Sequence, residues 1–174
     1  MATRRSSTAT SVMQSGAPAA PHQTGGARTY VDTSVVLRNV FDEGEPLEFW
    51  RYDTPAASEL LHVEARRAIH RRRLAGEIDD AQVAQATEAL YALLEHLGVI
   101  FLDSTVLARA AGPFPSHVRT LDAIHLASAL LWNEQDGSVR EFLTHDHRQA
   151  VAARALAFRV TGVPDLLAPG VAPG

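Results

Sequence analysis

Tyr30-Val31-Asp32-Thr33-Ser34, followed by Val35, Val36 and Leu37, constrains this chain more than any other stretch. A short apolar run that ends on an acid, turns through two hydroxyl residues and resumes with apolar residues reads as a buried strand feeding a helix. Three later segments set a carboxylate in a comparable place. They are Glu64 in Ser58-Glu59-Leu60-Leu61-His62-Val63-Glu64, Asp122 in Arg119-Thr120-Leu121-Asp122-Ala123-Ile124-His125, and Asp146 in Phe142-Leu143-Thr144-His145-Asp146-His147.

The rest of the chain supplies the frame for those four acids. Residues 29–32 form the first strand, and 34–41 a short helix capped by Thr33 or Ser34. After an acidic break at 42–46, residues 47–57 suit either a strand or a short helix, cut off by Pro55. Ser58 is expected to cap a long helix reaching about residue 75, with Leu61, Ala65, Ala68 and Ile69 as its buried stripe and Glu64 beside it. Gly76 ends it, and Asp79 or Asp80 starts a second helix whose apolar residues recur to Leu97, where Gly98 stops it. A buried strand at 99–102, a helix at 104–111, a loop at 112–118 and a helix capped by Thr120 follow. The last elements are a strand at 141–144, a helix at 149–156 and a strand at 158–160. Helices alternating with short apolar strands predict an α/β/α domain, a mainly parallel sheet with helices on both faces. Right-handed crossovers keep the carboxyl ends of such strands along one edge, where ligands collect.

Length and composition narrow the chemistry. The 174 residues fit one domain, and 46% hydrophobic with 21% charged residues is globular composition. A net charge of −4 gives no general attraction for nucleic acid, although a local basic patch is compatible with it. Cysteine is absent, which removes disulfides, thiolate ligands and a cysteine nucleophile. All 16 basic residues are arginine, so a P-loop lysine, a Schiff base and a catalytic lysine beside a phosphorylated aspartate are excluded. Residues 1–27 are Ser, Thr, Ala, Gly, Pro and Gln with few large apolar residues, a disordered composition. Arg4 and Arg5 are followed by no apolar run, and no stretch approaches the roughly 18 residues of a membrane span, so a cytoplasmic chain without a membrane anchor is expected.

Carboxylates gathered at one edge repel one another and are costly to bury unpaired. A cation resolves that conflict, and an all-oxygen set favours Mg²⁺, or Mn²⁺, over zinc. Such an ion lowers the pKa of a bound water and clamps a phosphodiester oxygen. Taken singly, each acid also has an ordinary structural role: Asp32 as a helix cap, Asp122 facing a helix dipole, Glu64 paired with an arginine, Asp146 in a turn. The histidines offer a competing site, since His145 and His147 flank Asp146 and His117 and His125 are also available. Their spacing matches no zinc pattern, and His125 is expected to pack near the acids or donate a hydrogen bond. Arg66, Arg67, Arg71, Arg72 and Arg73 load the helix that carries Glu64, either as a solvated face or as a cationic track.

Tyr-Val-Asp-Thr-Ser at 30–34, the Ser58 to Glu64-Ala-Arg-Arg-Ala helix, Arg119-Thr120-Leu121-Asp122-Ala123-Ile124-His125-Leu126-Ala127, and Leu143-Thr144-His145-Asp146 followed by Ala152-Ala153 resemble a PIN domain. More closely they resemble the VapC toxins of VapBC toxin–antitoxin modules, over residues 28–163, with residues 164–174 a loose tail. The resemblance implies a Mg²⁺- or Mn²⁺-dependent endoribonuclease held inactive by a cognate VapB antitoxin. It implies that Asp32, Glu64, Asp122 and Asp146 bind the metal, supported by Ser34 and Thr144. It also implies a homodimer that takes RNA in a basic groove, to which Arg66, Arg67, Arg71, Arg72 and Arg73 would contribute unless they meet the antitoxin. The extension at 1–27 and the compact segment between Asp42 and Ser58, where the second helix is expected to be shortened, depart from the family pattern. Two other readings fit the residues: a PIN-like binding module without catalysis, and a metal-dependent nuclease of DNA or structured nucleic acid.

Overall fold

The computed structural model describes residues 28–134 and 140–164. The expected disorder of residues 1–27 and all but the first residue of the expected tail lie outside the described residues. Among the described residues, five parallel strands form one sheet in the order β3-β2-β1-β4-β5. They are β1 (Thr29–Val31), β2 (Pro55–Ser58), β3 (Gly98–Ile100), β4 (Glu141–Leu143) and β5 (Arg159–Thr161). The helices are α1 (Thr33–Val40), α2 (Leu60–Leu74), α3 (Asp80–Leu94), α4 (Ser104–Ala111), α5 (Thr120–Glu134) and α6 (His147–Ala155).

Alternation along the central strands divides the core in two. Val31 and Leu143 face α1, α2 and α3, packing with Val35, Val36, Leu61, Ala65, Ile69, Ala86 and Leu90. Their neighbours Tyr30 and Phe142 face the other way, onto Leu126, Ala129 and Leu130 of α5 and Ala152 and Ala153 of α6. The register pairs Tyr30 with Phe142, and their rings stack with centroids 4.9 Å apart. The three layers follow from that side-to-side alternation.

Strand order reverses between β1 and β4. From β1 the chain moves outward through β2 to β3, then crosses back to β4 on the other side of β1. A crevice therefore opens beyond the carboxyl ends of these two strands, the usual ligand position in open α/β sheets. Asp32 leaves β1 there, with its N–H bonded to Leu143 O at 2.9 Å, and Thr144 leaves β4 beside it.

Several local expectations are corrected. The cap of α1 is Asp32, whose carboxylate accepts Ser34 N–H, and not Thr33 or Ser34. Pro55 begins a strand instead of ending an element, because the first position of a strand needs no ladder N–H. Ser58 is the last residue of β2; its Oγ still accepts Leu60 N–H at 3.3 Å, but α2 starts at Leu60. Proline and two alanines carry no strand signature, although small side chains suit a strand pressed between neighbours. The segment before β2 holds one 3₁₀ turn, Phe49–Arg51, in agreement with a shortened second helix. The strand expected to be buried at 99–102 is instead the exposed edge strand β3, with Phe101 beyond it 69% exposed. Asp79 caps α3 through a reciprocal capping box with Gln82, and α6 begins at His147, two residues earlier than expected.

Gly162 closes the sheet against the crevice. Its φ of +107° is left-handed, and a Cβ there would lie 2.3 Å from Thr144 O and 2.9 Å from Leu47 Cδ1. Gly76, at φ +73°, has nothing within 4 Å of the same position. Gly162→Ala is therefore expected to cost about 2–4 kcal/mol through strain and clash together. Gly76→Ala should cost only the backbone penalty of about 1–2 kcal/mol. Urea unfolding of both variants checks the difference.

Candidate active site

The four acids reach one cleft of about 480 Å³ from four elements. Asp32 stands at the N-cap of α1, Asp146 at the N-cap of α6 and Asp122 in the first turn of α5. Three helix N-termini thus direct their positive ends at the acids, which makes the cluster less costly. Glu64 enters from the second turn of α2, on the side of the helix next to buried Leu61, Ala65 and Ala68. Arg67 and Arg71, one and two turns further along, also line the cleft, as do Leu37, Leu60, Val63 and Leu121.

Each acid is held by one oxygen. Asp32 Oδ2 accepts from Ser34 N–H at 3.1 Å, from Thr144 Oγ1–H at 3.1 Å and, over a very short bond, from the Ser34 hydroxyl. Ser34 Oγ in turn accepts His145 N–H at 2.9 Å, and Thr144 Oγ1 accepts Asp146 N–H at 3.0 Å. Glu64 Oε2 receives the Thr33 hydroxyl at 2.5 Å and lies 2.8 Å from His125 Nε2. Asp146 Oδ1 accepts Arg148 and Gln149 N–H, and Asp122 Oδ2 is 3.4 Å from Arg119 N. The opposite oxygens, Asp32 Oδ1, Glu64 Oε1, Asp122 Oδ1 and Asp146 Oδ2, have no hydrogen bond among the described residues.

Those oxygens provide the test of fit to a cation. The donor set is carboxylate oxygen, free of thiolate, with one atom of each group fixed and the other uncommitted, which suits a hard divalent ion. Among the described residues, however, no three His, Asp or Glu side chains are grouped closely enough to hold an ion. The four predicted acids thus line one cleft without forming a closed ligand set among the described residues.

The electrostatics record their mutual repulsion. Burial pushes the Asp122 carboxyl up, and the charges of Asp146 and Asp32 push it further, against the opposing effect of Arg119. Burial also pushes Glu64 up, but its hydrogen bond to His125, with help from Thr33 and Arg71, brings it below the ordinary glutamate range. Burial pulls His125 down, and the bond to Glu64 with the charges of Asp32, Glu64 and Asp122 more than reverses this. His145 is pulled below the ordinary range by burial and the nearby Arg38 guanidinium, and its Nδ1–H donates to Gly162 O at 2.8 Å.

The five arginines separate into two groups. Arg72 bonds Glu43 at 2.6 Å with its guanidinium 3.8 Å from the Phe41 ring centre, Arg73 pairs with Asp80 at 2.8 Å, and Arg66 bonds Tyr91 OH at 2.8 Å. These three are engaged in tying α2 to its neighbours. Arg67 and Arg71 are exposed on the cleft without an ion pair within 4 Å among the described residues. Residues that the sequence did not single out also belong here. Thr33 bonds Glu64 instead of capping α1, and the side-chain amide of buried Gln149 lies 3.2 Å from Thr144 Oγ1. The only advance signal for Gln149 was its place three residues after Asp146.

A parallel sheet with helices on both faces and an acid-lined crevice at its switch point defines a PIN-like α/β protein. Comparison with known proteins gives the nearer relationship. The chain is 32% identical over 143 residues to Ribonuclease VapC47 of Mycobacterium tuberculosis, covering 78% of this chain and 96% of that protein. It is 31% identical over 138 residues to Ribonuclease VapC46 of the same species, covering 77% and 96%. This chain belongs to the VapC family. The crystal structure of PAE2754 from Pyrobaculum aerophilum matches the fold with a TM-score of 0.50 at 20% identity, over 78% of this chain and 94% of that one. No family model matches.

The repulsion at Asp122 has a measurable consequence. A carboxyl whose pKa rises on folding favours the native state below its unfolded value, near 3.8, and costs stability as pH climbs through the folded value. In EDTA near neutral pH, Asp122→Asn is expected to raise stability by a few tenths of a kcal/mol, solvent screening having reduced the effect. The gain should vanish in denaturant unfolding below pH 3.8.

Proposed function

We propose that this protein is the toxin of a type II toxin–antitoxin pair, a Mg²⁺- or Mn²⁺-dependent endoribonuclease acting in the cytoplasm and inhibited by a cognate VapB antitoxin. The observation that carries this reading is the convergence of Asp32, Glu64, Asp122 and Asp146 on one cleft, each with one oxygen tied and one uncommitted. Relatives of known ribonuclease name support the substrate class.

Asp32, Asp122 and Asp146 would hold the ion, with Glu64 joining or orienting a water. A divalent ion so held supplies a water of lowered pKa and neutralises charge developing on the phosphodiester. The chain's own residues do the rest. Ser34 and Thr144 fix Asp32, Arg67 and Arg71 receive phosphate along α2, and the apolar side chains of Leu60, Val63 and Leu121 leave room for bases. An antitoxin segment would occupy the same cleft, and a homodimer would be the working assembly. The competing reading, a binding module without catalysis, draws on the absence of a closed group of three ligands among the described residues.

The deciding experiment incubates total RNA with the wild type, Asp32→Asn and Asp122→Asn in Mg²⁺, Mn²⁺ or EDTA. Discrete cleavage is expected from the wild type alone, abolished by EDTA. Each variant should fall by at least about 100-fold, at or beyond the upper end of losses caused by outer-shell changes. RNA binding without cleavage by folded, antitoxin-free wild type would move the reading to the binding module.

The arginine division predicts a second result. Arg67→Ala and Arg71→Ala should each weaken RNA binding and reduce the slope of log K against log salt by about 0.7, one phosphate contact on a single strand. Arg73→Ala should leave that slope unchanged. Filter binding across a salt series reads all three.

A further inference from the structure

A row of polar groups runs behind Glu64, from buried Ser58 and Tyr30 to His125, whose ring also borders the cleft. Ser58 N–H, at the end of β2, donates to Tyr30 Oη at 3.2 Å. Tyr30 Oη lies 2.7 Å from His125 Nδ1, and His125 Nε2 lies 2.8 Å from Glu64 Oε2. Tyr30 is 0% exposed and His125 2% exposed, so each bond here must be satisfied within the protein. Four elements contribute, one group each: β2, β1, α5 and α2.

The proton directions follow from what each group is able to do. A backbone amide only donates, so Tyr30 oxygen accepts from Ser58. With the imidazole neutral, the Tyr30 hydroxyl gives its own proton to Nδ1, which leaves the imidazole proton on Nε2, facing the carboxylate. When the imidazole carries both protons, Nε2–H still faces Glu64. Thr33 Oγ1–H donates to the same Oε2 from the other side. Oε2 is therefore gripped by two donors, and Oε1 is the atom left for the cleft.

We propose that Tyr30 and His125 are positioning residues: braced by the Ser58 amide, they turn Glu64 so that Oε1 faces the space shared with Asp32, Asp122 and Asp146. This rests on the acid cleft being a divalent-ion site, as proposed above, and adds two residues whose hydrogen bonds run to each other and to the tied Oε2 of Glu64, not to an uncommitted carboxylate oxygen. The arrangement has the form of outer-shell partners that orient ligands, whose loss commonly changes metal affinity or rate by 10–100-fold. His125 also stands 3.9 Å from Asp32 Oδ1, too long for a hydrogen bond, so its directed contact is with Glu64.

The test uses full-length wild type, Tyr30→Phe, His125→Leu and His125→Gln, with circular dichroism and thermal unfolding confirming that each is folded. The amide NH₂ of glutamine reaches about as far as Nε2 and retains a donor toward Glu64. Mn²⁺ binding to metal-free protein is followed by electron paramagnetic resonance, and RNA cleavage is followed as kcat and KM separately. Tyr30→Phe and His125→Leu should weaken Mn²⁺ binding and lower kcat by about 10-fold or more with KM for RNA unchanged, and His125→Gln should recover most of both. Folded His125→Leu with wild-type Mn²⁺ affinity and kcat overturns the positioning role, as does failure of His125→Gln to recover either quantity. Wild type that binds Mn²⁺ but cleaves no RNA overturns the ribonuclease reading alone, because the Mn²⁺ comparison still decides the role of Tyr30 and His125. Wild type that binds no Mn²⁺ overturns both.

Discussion

One carboxylate oxygen holds the two halves of the domain together where function would need them. Asp32 Oδ2 ends β1, caps α1 through Ser34 N–H, and receives hydroxyl protons from Ser34 and Thr144, the latter from the end of β4. The same two hydroxyl oxygens accept the amides of His145 and Asp146, so the turn leaving β4 is shaped by the turn leaving β1. A carboxylate is the group for this task, because it accepts several donors and donates none. An amide in its place would keep one oxygen for these donors but would put an NH₂ where Asp32 Oδ1 now stands without a hydrogen bond among the described residues.

That cross-link also explains how acids are tolerated together. Three of the four sit at helix N-termini, where unsatisfied N–H groups and the helix dipole favour negative charge. The fourth, Glu64, lacks this advantage and instead borrows donors from Thr33 and His125. The two solutions differ in what the sequence reveals. An acid that closes a short apolar strand leaves a local pattern, and Asp32 and Asp146 were found that way, although the caps of α1 and α6 were placed later in the chain. A tertiary donor leaves none, and Tyr30 looked like any aromatic residue in an apolar strand.

Legibility elsewhere follows the same division between local and distant causes. The strands β1 and β4 were evident because Tyr30-Val31 and Phe142-Leu143 bury large side chains on both faces of the sheet. Strand β2 was hidden because Pro55, Ala56, Ala57 and Ser58 are small, and only the close approach of neighbouring elements makes them suitable there. Strand β3 misled in the other direction: Val99 and Phe101 are apolar but occupy an edge and remain exposed. The arginine run of α2 read as one feature, yet its members part according to which neighbours α1 and α3 place beside them. Glu43, Phe41, Asp80 and Tyr91 engage three of the five, and nothing in the spacing of the run announces that.

The bond between Thr144 and Asp32 joins residues 112 positions apart, and Gly162 presses on Thr144 from later still. The crevice is therefore finished only when nearly the whole described chain is available to fold. During synthesis, β1, β2 and β3 with their helices leave the ribosome well before β4, α6 and β5 arrive to complete the switch point. A nascent chain holding Asp32, Glu64 and Asp122 lacks both Asp146 and the Thr144 hydroxyl, the second of the two that anchor Asp32. The order of the strands thus makes Asp146 and the Thr144 anchor the last parts of the four-acid cleft to become available to a chain that folds as it is made.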